Sequence, residues 1–264
     1  WFENDWNIMI RSEEEAPVGS TLASHDELNI LIHFSDTVYN EKNIILRKAT
    51  VKNTDVRAKD IKLYFGQEFE IYESRRGDTA YFDPKRNAIV HYNGKRVFLI
   101  NGRIDTRGFD DYTTGIFNID GKAGSYKNAE NGHLPQNPIE HGPTDSVIGF
   151  DIHLKPQEEK VVYYWMTIGA SIKHAQELDD YVLEKTPEYM MHTTRDFWRA
   201  WVTRHNQHFE HIGETIGSLF KKSLFILRAH TDNHGSILAS GDSQMMQFGK
   251  DSYGYTWPRD GALC

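Results

Sequence analysis

The chain is poor in cysteine: it has one, Cys264, at the last of its 264 positions. A single thiol cannot form an intramolecular disulfide, which is typical of proteins from a reducing compartment. Long apolar runs are also missing, since no stretch approaches the roughly 20 residues that a helix needs to cross a bilayer. The first six residues have neither the basic start nor the apolar core of a signal peptide, and no initiator Met. We therefore expect a cytoplasmic protein, with a further segment upstream of residue 1.

Blocks of positive charge are absent as well. Lys and Arg number 30 against 38 Asp and Glu, and the resulting formal net charge of −8 is spread along the chain. Clustered Lys and Arg bind phosphate backbones, so this balance argues against nucleic acid as the main partner. Hydrophobic residues make up 39% of the chain, but aromatic residues make up 12%, and their large side chains allow a sizeable core.

Alternation of apolar and polar residues marks the first two thirds of the chain. Apolar residues occupy every second position over 28–34 and over 61–65, the pattern of a strand with one buried and one wet face. Asn93 and Gly94 separate two apolar runs and favour the positive φ angles of a type I′ hairpin turn. Many short strands of this kind predict an antiparallel β-sandwich. Residues 118–145 are rich in Gly, Asn and Pro, and we predict a long loop there.

The spacing of apolar residues becomes helical after Ser171. Thr186, Pro187 and Glu188 in succession are typical of a helix start, since Thr can cap, Pro fits the first turn and Glu favours the positive end of the dipole. Another helical pattern begins at about Gly213. The predicted segments are a β-sandwich domain over 1–170 that lacks its first strands, a helical linker over 171–211, and the truncated beginning of an all-α domain over 212–264.

The stretch from Tyr255 to Asp260 has the residue types of a sugar-binding surface. Aromatic rings pack on the C–H face of a sugar, and Trp257 lies beside two tyrosines of this region. Arg259 offers several donors in a rigid fork, while the carboxylate of Asp260 accepts hydrogen bonds. The pair could therefore hold neighbouring hydroxyl groups. The competing interpretation is a surface Arg–Asp pair beside a buried Trp, which many folds contain.

Two stretches of this region resemble the N-terminal signature of glycoside hydrolase family 15, the family of glucoamylases, glucodextranases and acidic trehalases. They are Gly-Ser-Ile-Leu-Ala-Ser at 235–240 and Asp-Ser-Tyr-Gly-Tyr-Thr-Trp-Pro-Arg-Asp-Gly-Ala-Leu at 251–263. Upstream stretches resemble the N-terminal sandwich domain of the prokaryotic members, at 77–84, 108–115, 145–149 and 163–165. The resemblance covers almost the whole chain, and Trp-Pro-Arg-Asp is its most specific part.

The resemblance implies a fold and a set of roles. The fold would be an N-terminal antiparallel β-supersandwich, a helical connector and the first part of an (α/α)6 barrel. Tyr253 would lie beside the sugar that precedes the cleaved bond, Arg259 and Asp260 would bind its hydroxyl groups, and Trp257 would help to form the pocket. The substrate would be an α-glucan or oligosaccharide, from which the enzyme releases glucose, and no cofactor is implied.

The same resemblance implies that catalytic residues are absent from this chain. The family inverts the anomeric centre with two glutamates, an acid and a base, and both belong to later helices of the barrel. The 264-residue chain is therefore expected to be inactive. It is also expected to associate with itself through apolar helix faces that an incomplete barrel leaves exposed. The alternative from another class is a non-catalytic carbohydrate-binding or scaffold module.

Three sets of polar residues resemble metal sites only loosely. His230 and His234 have the i, i+4 spacing of two ligands on a helix, but no third ligand is obvious and the helix pattern ends there. The other two sets are His205, His208 and His211, and Asp105, Asp110 and Asp111. We interpret the histidines as polar or capping residues and the aspartates as turn residues that do not match an EF-hand loop. No metal is therefore predicted.

Overall fold

The computed structural model describes residues 5–73, 77–119, 121–204, 213–239 and 255–263. Within these ranges strands dominate as far as residue 169, and helices follow. The strands are β1 (Asn7–Ser12), β2 (Gly19–His25), β3 (Ile30–Val38), β4 (Ile44–Asn53), β5 (Lys59–Glu68), β6 (Thr79–Asp83), β7 (Ala88–Asn93), β8 (Arg96–Ile104), β9 (Asp111–Ile116), β10 (Ile139–His141), β11 (Thr144–Leu154) and β12 (Glu159–Gly169). The helices are α1 (Tyr126–Glu130), α2 (Ile172–Lys185), α3 (Pro187–Thr203), α4 (Glu214–Ala229) and α5 (Pro258–Gly261), with a 3-10 turn at Ile71–Glu73.

The described strands form two antiparallel sheets of very different width. The large sheet has nine strands in the order β1-β2-β3-β4-β12-β8-β7-β6-β10, and the small sheet has three in the order β5-β11-β9. β7 and β8 form the predicted hairpin, in which Asn93 lies opposite Arg96 and Gly94 has a φ of 53°. The prediction of antiparallel sheets followed by helices is confirmed.

The main core lies between the two sheets. Phe65 of β5 stacks on Tyr164 of β12, with ring centroids 4.9 Å apart, and meets Phe150 of β11 edge to face. Phe150 reaches the large sheet at Gly102, where an added Cβ would lie 2.8 Å from the Phe150 ring. Glycine is therefore required at this close approach of the sheets. The buried aliphatic residues of this core include Ile30, Ile32, Val51, Ile89, Ile100, Ile148, Ile152 and Val162.

Helix α2 packs on the opposite face of the large sheet. Its Leu178 and Val182 are buried against Leu46 and Trp165, so β4 and β12 have apolar residues on both faces. Gly169 allows the chain to turn from β12 into this helix, because an added Cβ would lie 2.6 Å from the backbone nitrogen of Ala175. A sheet covered on both sides explains why β12 shows no clean alternation of apolar and polar residues.

A buried carboxylate connects α2 to the sheet. Asp179 is fully buried and accepts hydrogen bonds from Trp165 Nε1 at 2.8 Å and Asn101 Nδ2 at 3.2 Å. Arg86 lies 3.4 Å from the same carboxylate and forms a two-point ion pair with Asp180. Burial raises the pKa of Asp179, while the hydrogen bond from Arg86 lowers the pKa of Asp180. These five side chains hold α2 in one orientation on the sheet.

The segment predicted as one long loop contains α1 and β10. Asp145 is buried in β11, and its carboxylate accepts hydrogen bonds from both the backbone amide and the hydroxyl of Ser125, just before α1. β10 extends the large sheet by pairing with β6, with Ile139 opposite Tyr81. The prediction of a structureless loop is therefore wrong, because elements of five and three residues are too short to show a periodic pattern.

His91 forms the centre of a second buried polar cluster. Its Nε2 lies 2.8 Å from Ser146 Oγ, and that hydroxyl donates to Gln67 Oε1 at 2.9 Å. The side chain is completely buried, and burial lowers its pKa to about 3. The imidazole is therefore neutral in the folded chain at every pH near neutrality.

We expect this buried imidazole to make the sandwich sensitive to acid. The pKa of His91 is lower in the folded than in the unfolded chain, so protons bind preferentially to the unfolded chain, and stability falls as pH drops from about 6.5 towards 3. The contribution is up to about 1.4 kcal/mol per pH unit. Urea unfolding at several pH values should give a steeper loss for the native chain than for His91→Gln. Equal slopes would contradict this assignment.

Tyr64 buries a hydroxyl that has no hydrogen-bond partner among the described residues. Its ring lies against Gly149, where an added Cβ would be 2.7 Å away. Removing an unsatisfied buried hydroxyl costs no hydrogen bond, so Tyr64→Phe should leave the free energy of unfolding unchanged or raise it by up to about 1 kcal/mol. Tyr39→Phe is the control, since Tyr39 Oη lies 3.3 Å from Tyr181 Oη. A loss of stability in Tyr64→Phe as large as in the control would refute the prediction.

The chain divides into two compact units, one formed by 1–11 and 18–194 and the other by 12–17 and 195–264. In the second unit, Trp198 and Trp201 pack on Phe225 of α4, with ring centroids 5.8 and 6.0 Å apart from Phe225. Glu13 forms an ion pair with Arg195 at 2.9 Å. No helix of the described residues is long and apolar enough to span a membrane.

Candidate functional site

The described residues of the two stretches that resemble the family-15 signature, 235–239 and 255–263, are paired with each other in the second unit. Leu238 pairs antiparallel with Thr256, and the amide of Ala239 donates to the carbonyl of Tyr255 at 3.3 Å. The amide of Leu238 donates to the carbonyl of His230, at the end of α4, at 3.0 Å. The residues that follow α4 are thereby joined to the residues that precede α5, although 16 to 18 positions separate them in sequence.

A tight turn at Asp232 positions the first of these stretches. Its carboxylate accepts hydrogen bonds from the backbone amides of His234, at 2.7 Å, and Ser236, at 2.9 Å. These two backbone bonds, with Ser236 contributing most, lower the pKa of Asp232. Thr231 then pairs antiparallel with Ile237 and closes the turn. Sequence reasoning missed Asp232, although Asp, Asn and Gly within the four residues 232–235 are a usual signal of such a turn.

The predicted binding residues follow this pairing directly. Trp257 precedes α5 and is 47% exposed, and Tyr255 is 57% exposed. Arg259 lies in the first turn of α5, after Pro258, and is also exposed. The competing interpretation of this motif required a buried Trp, and the exposure of Trp257 does not agree with it. Both side chains are therefore accessible from solvent.

The structure does not describe the side chains of two predicted binding residues, Tyr253 and Asp260. Tyr253 lies outside the described residues, so its predicted place beside the sugar stays a prediction. The backbone of Asp260 belongs to α5. The roles assigned to Tyr253, Trp257, Arg259 and Asp260 all remain predictions.

The loosely metal-like sets have other partners where the structure describes them. His230 Nδ1 lies 2.8 Å from the carbonyl of Ile226, one turn earlier in α4. Asp110 pairs with Arg107 and accepts the amide of Asp151 at 2.8 Å, as expected of a residue that fixes a turn. His205, His208 and His211 lie outside the described residues. Within the described part of the chain, no three His, Cys, Asp or Glu side chains are grouped as a metal site.

Comparison with known proteins finds similar sequences and structures, while no family model matches the chain. An uncharacterized glycosyl hydrolase of Methanocaldococcus jannaschii is 26% identical over 272 residues, covering 99% of this chain and 41% of that protein. A bacterial glucoamylase, solved as a complex with acarbose, has a TM-score of 0.76 at 15% identity, covering 98% of this chain and 38% of its own. The chain therefore spans well under half of either protein. It shares with the bacterial glucoamylase a fold of antiparallel sheets followed by helices.

Proposed function

We propose that this chain is the N-terminal part of a glycoside hydrolase similar to family 15, an inverting enzyme that releases glucose from the ends of α-glucans or oligosaccharides. The observation that carries the proposal is the pairing of Leu238 with Thr256, which joins the two signature-like stretches and leaves Trp257 exposed beside them. The relative from Methanocaldococcus jannaschii, named a glycosyl hydrolase, supports the same activity class. Domain boundaries at 170/171 and 211/212 are part of this proposal.

The proposed roles follow from the chemistry of each side chain. The half-exposed indole of Trp257 offers an apolar surface to the C–H face of a sugar ring. Arg259 donates hydrogen bonds from a planar fork, and Asp260 accepts them, so adjacent hydroxyl groups can be held in one orientation. Tyr253 completes the pocket beside the same sugar. These four side chains hold the sugar and do not break the glycosidic bond.

Bond cleavage requires groups from later helices of an (α/α)6 barrel. An inverting enzyme separates its acid and its base by roughly 6.5–9.5 Å, so that one water molecule fits between the base and the anomeric carbon. The acid protonates the leaving oxygen while the base removes a proton from the attacking water. Neither step needs a cofactor. The 264-residue chain would therefore bind sugar weakly and would not hydrolyse it.

Glucose release by the full product of the gene tests this proposal. Incubation with maltotriose, isomaltose and trehalose, followed by enzymatic detection of glucose, should reveal release from at least one substrate. The 264-residue chain is the matched control and should release none. Trp fluorescence would show whether the full product binds maltose. Maltose binding without glucose release from any substrate would instead identify a non-catalytic binding module.

We also expect the 264-residue chain to associate with itself through α4. Ile216, Leu219 and Ile226 of this helix are 56%, 64% and 60% exposed, although their spacing is that of a buried helix face. Exposed apolar surface of this kind is typical of an interface. Sedimentation velocity should show dimers or larger species, and Leu219→Lys should shift the chain towards monomer. A native chain that sediments as a monomer would contradict the prediction.

A further inference from the structure

The outer face of the large sheet carries a groove of about 510 Å³. It crosses β1, β2, β3 and β4 and reaches Glu159, at the start of β12. His33 of β3 lines it and alternates with the buried Ile32 and Phe34, so the groove faces away from the core between the sheets. Helix α2 packs on the same outer face at the other end of β4, near Leu46. All residues that line the groove belong to the first compact unit.

The groove combines polar side chains with an aliphatic surface. Its polar lining residues are Arg11, Ser20, His33, Thr50, Lys52 and Glu159. Ser20 Oγ lies 2.8 Å from His33 Nε2, and Thr50 lies directly opposite His33 on the neighbouring strand. The aliphatic surface comes from Leu31 and from Met9 and Leu22, which are 48% and 38% exposed. A ligand in this groove can therefore meet hydrogen-bonding groups and apolar surface together.

The charge of the groove is opposite to that of the chain. Arg11 and Lys52 against Glu159 give a formal charge of +1 with His33 neutral, whereas the whole chain has −8. Lys52 lies directly opposite Glu159 in the pairing of β4 with β12, so the two charges partly offset each other. Among the residues that the structure describes, Arg11 forms no ion pair. The guanidinium of Arg11 is thus the cation of the groove that is available to an anionic group.

We propose that this groove binds a saccharide that carries a carboxylate, a uronic acid residue. Arg11 would hold the carboxylate with its planar fork of donors. The hydroxyl groups of the sugar would exchange hydrogen bonds with Ser20, Thr50 and the His33 ring, and its C–H surface would lie on Leu22 and Leu31. The groove has the size of a small-molecule site, which is typically about 300–1,000 Å³. This inference concerns the sandwich alone and does not depend on the proposed activity.

A saccharide fits the groove better than a peptide or a fatty acid does. β2, β3 and β4 are each paired on both sides, so their backbone groups are already used and cannot pair with an extended peptide. A fatty acid would suit Met9, Leu22 and Leu31, but its chain would take water from the hydroxyl groups of Ser20 and Thr50 without replacing those hydrogen bonds. A uronic acid residue has a partner for each kind of lining group.

Saturation-transfer NMR with the full product of the gene tests the proposal. The probes are the methyl glycosides of glucuronic and galacturonic acid, each compared with the methyl glycoside of glucose or galactose, which lacks only the carboxylate. At least one uronide should bind at least about tenfold more tightly than its neutral counterpart, because a hydrogen bond to a charged group is the stronger kind. Raising NaCl to about 0.5 M should weaken uronide binding, since salt screens exposed charges.

Variants of the full product assign the binding to the groove. Arg11→Ala should weaken uronide binding at least about tenfold, and Arg11→Lys should recover only part of it, because Lys lacks the planar fork. Arg57→Ala is the matched control, since 84% of its side chain is exposed and it lies outside the groove. Arg259→Ala should also leave uronide binding unchanged, so that this proposal and the proposed glucose site are tested separately.

Three results would overturn the proposal. Equal binding of the uronides and their neutral counterparts would show that the carboxylate is not recognised. Uronide binding that survives Arg11→Ala, or that is lost in Arg259→Ala, would place the sugar elsewhere. Displacement of the uronide by inorganic sulfate or by acetylated glutamate at equal concentration would identify a general anion site, with no recognition of a saccharide.

Discussion

Replacing Arg259 with alanine should lower kcat/KM of the full gene product for glucose release at least about 100-fold, since a hydrogen bond to a charged group contributes roughly 1.5–3 kcal/mol and Arg259 is expected to make more than one to the sugar. Arg259→Lys keeps the charge but not the planar fork, and should recover only part of the loss. Stability should change little, because the side chain is exposed.

The matched control for this variant is Arg57→Ala. Arg57 lies on a loop of the sandwich with 84% of its side chain exposed, and its ion pair with Asp55 spans 3.7 Å at the surface. Its removal should leave kcat/KM unchanged. If Arg259→Ala retains native kcat/KM, or if Arg57→Ala lowers it equally, the assignment of Arg259 to the sugar site is wrong.

Replacing Asp179 with alanine should lower the free energy of unfolding of the sandwich by about 3–5 kcal/mol, the usual loss when one partner of a buried charged cluster is removed. The indole N–H of Trp165 and the amide of Asn101 would both lose their acceptor inside the core. Asp179→Asn should cost less, because its carbonyl oxygen can still accept from the indole. Urea unfolding followed by circular dichroism measures both losses.

Asp180→Ala is the control on the same helix. Asp180 binds Arg86 at 2.6 Å, but 59% of its side chain is exposed, so water replaces much of the lost interaction. We expect a loss of less than about 1 kcal/mol. The structural role of Asp179 would be refuted if its alanine variant were no less stable than that of Asp180.

Strands in which apolar and polar residues alternate could be predicted from the sequence. Strands that are covered on both faces lack this alternation and were harder to predict. Alternation over 61–65 became β5, whose inner side chains enter the core while Lys62 stays exposed. The pattern cannot show which strands lie side by side, since β12 lies between β4 and β8 through pairings distant in sequence. The burial of Asp179 could not be predicted from the spacing of apolar residues, because its hydrogen-bond partners lie on β8 and β12.

The candidate site shows the same division. The sugar-binding roles of Trp257 and Arg259 were predicted from the chemistry of their side chains, and they stay predictions. The pairing of Leu238 with Thr256 was not, since a single bridge leaves no period in the sequence. The turn at Asp232 that supports it depends on backbone amides, which every residue except proline possesses. The pairing and the turn could therefore be identified only from the structure.

The anomeric form of the released glucose tests the central claim most directly. Proton NMR of the full gene product acting on maltotriose should show β-glucose as the first product, because water attacks an α-linked sugar from the opposite face in an inverting enzyme. The 264-residue chain should give no product in the same experiment. First release of α-glucose, or release by the 264-residue chain itself, would contradict an inverting mechanism whose acid and base lie beyond this chain.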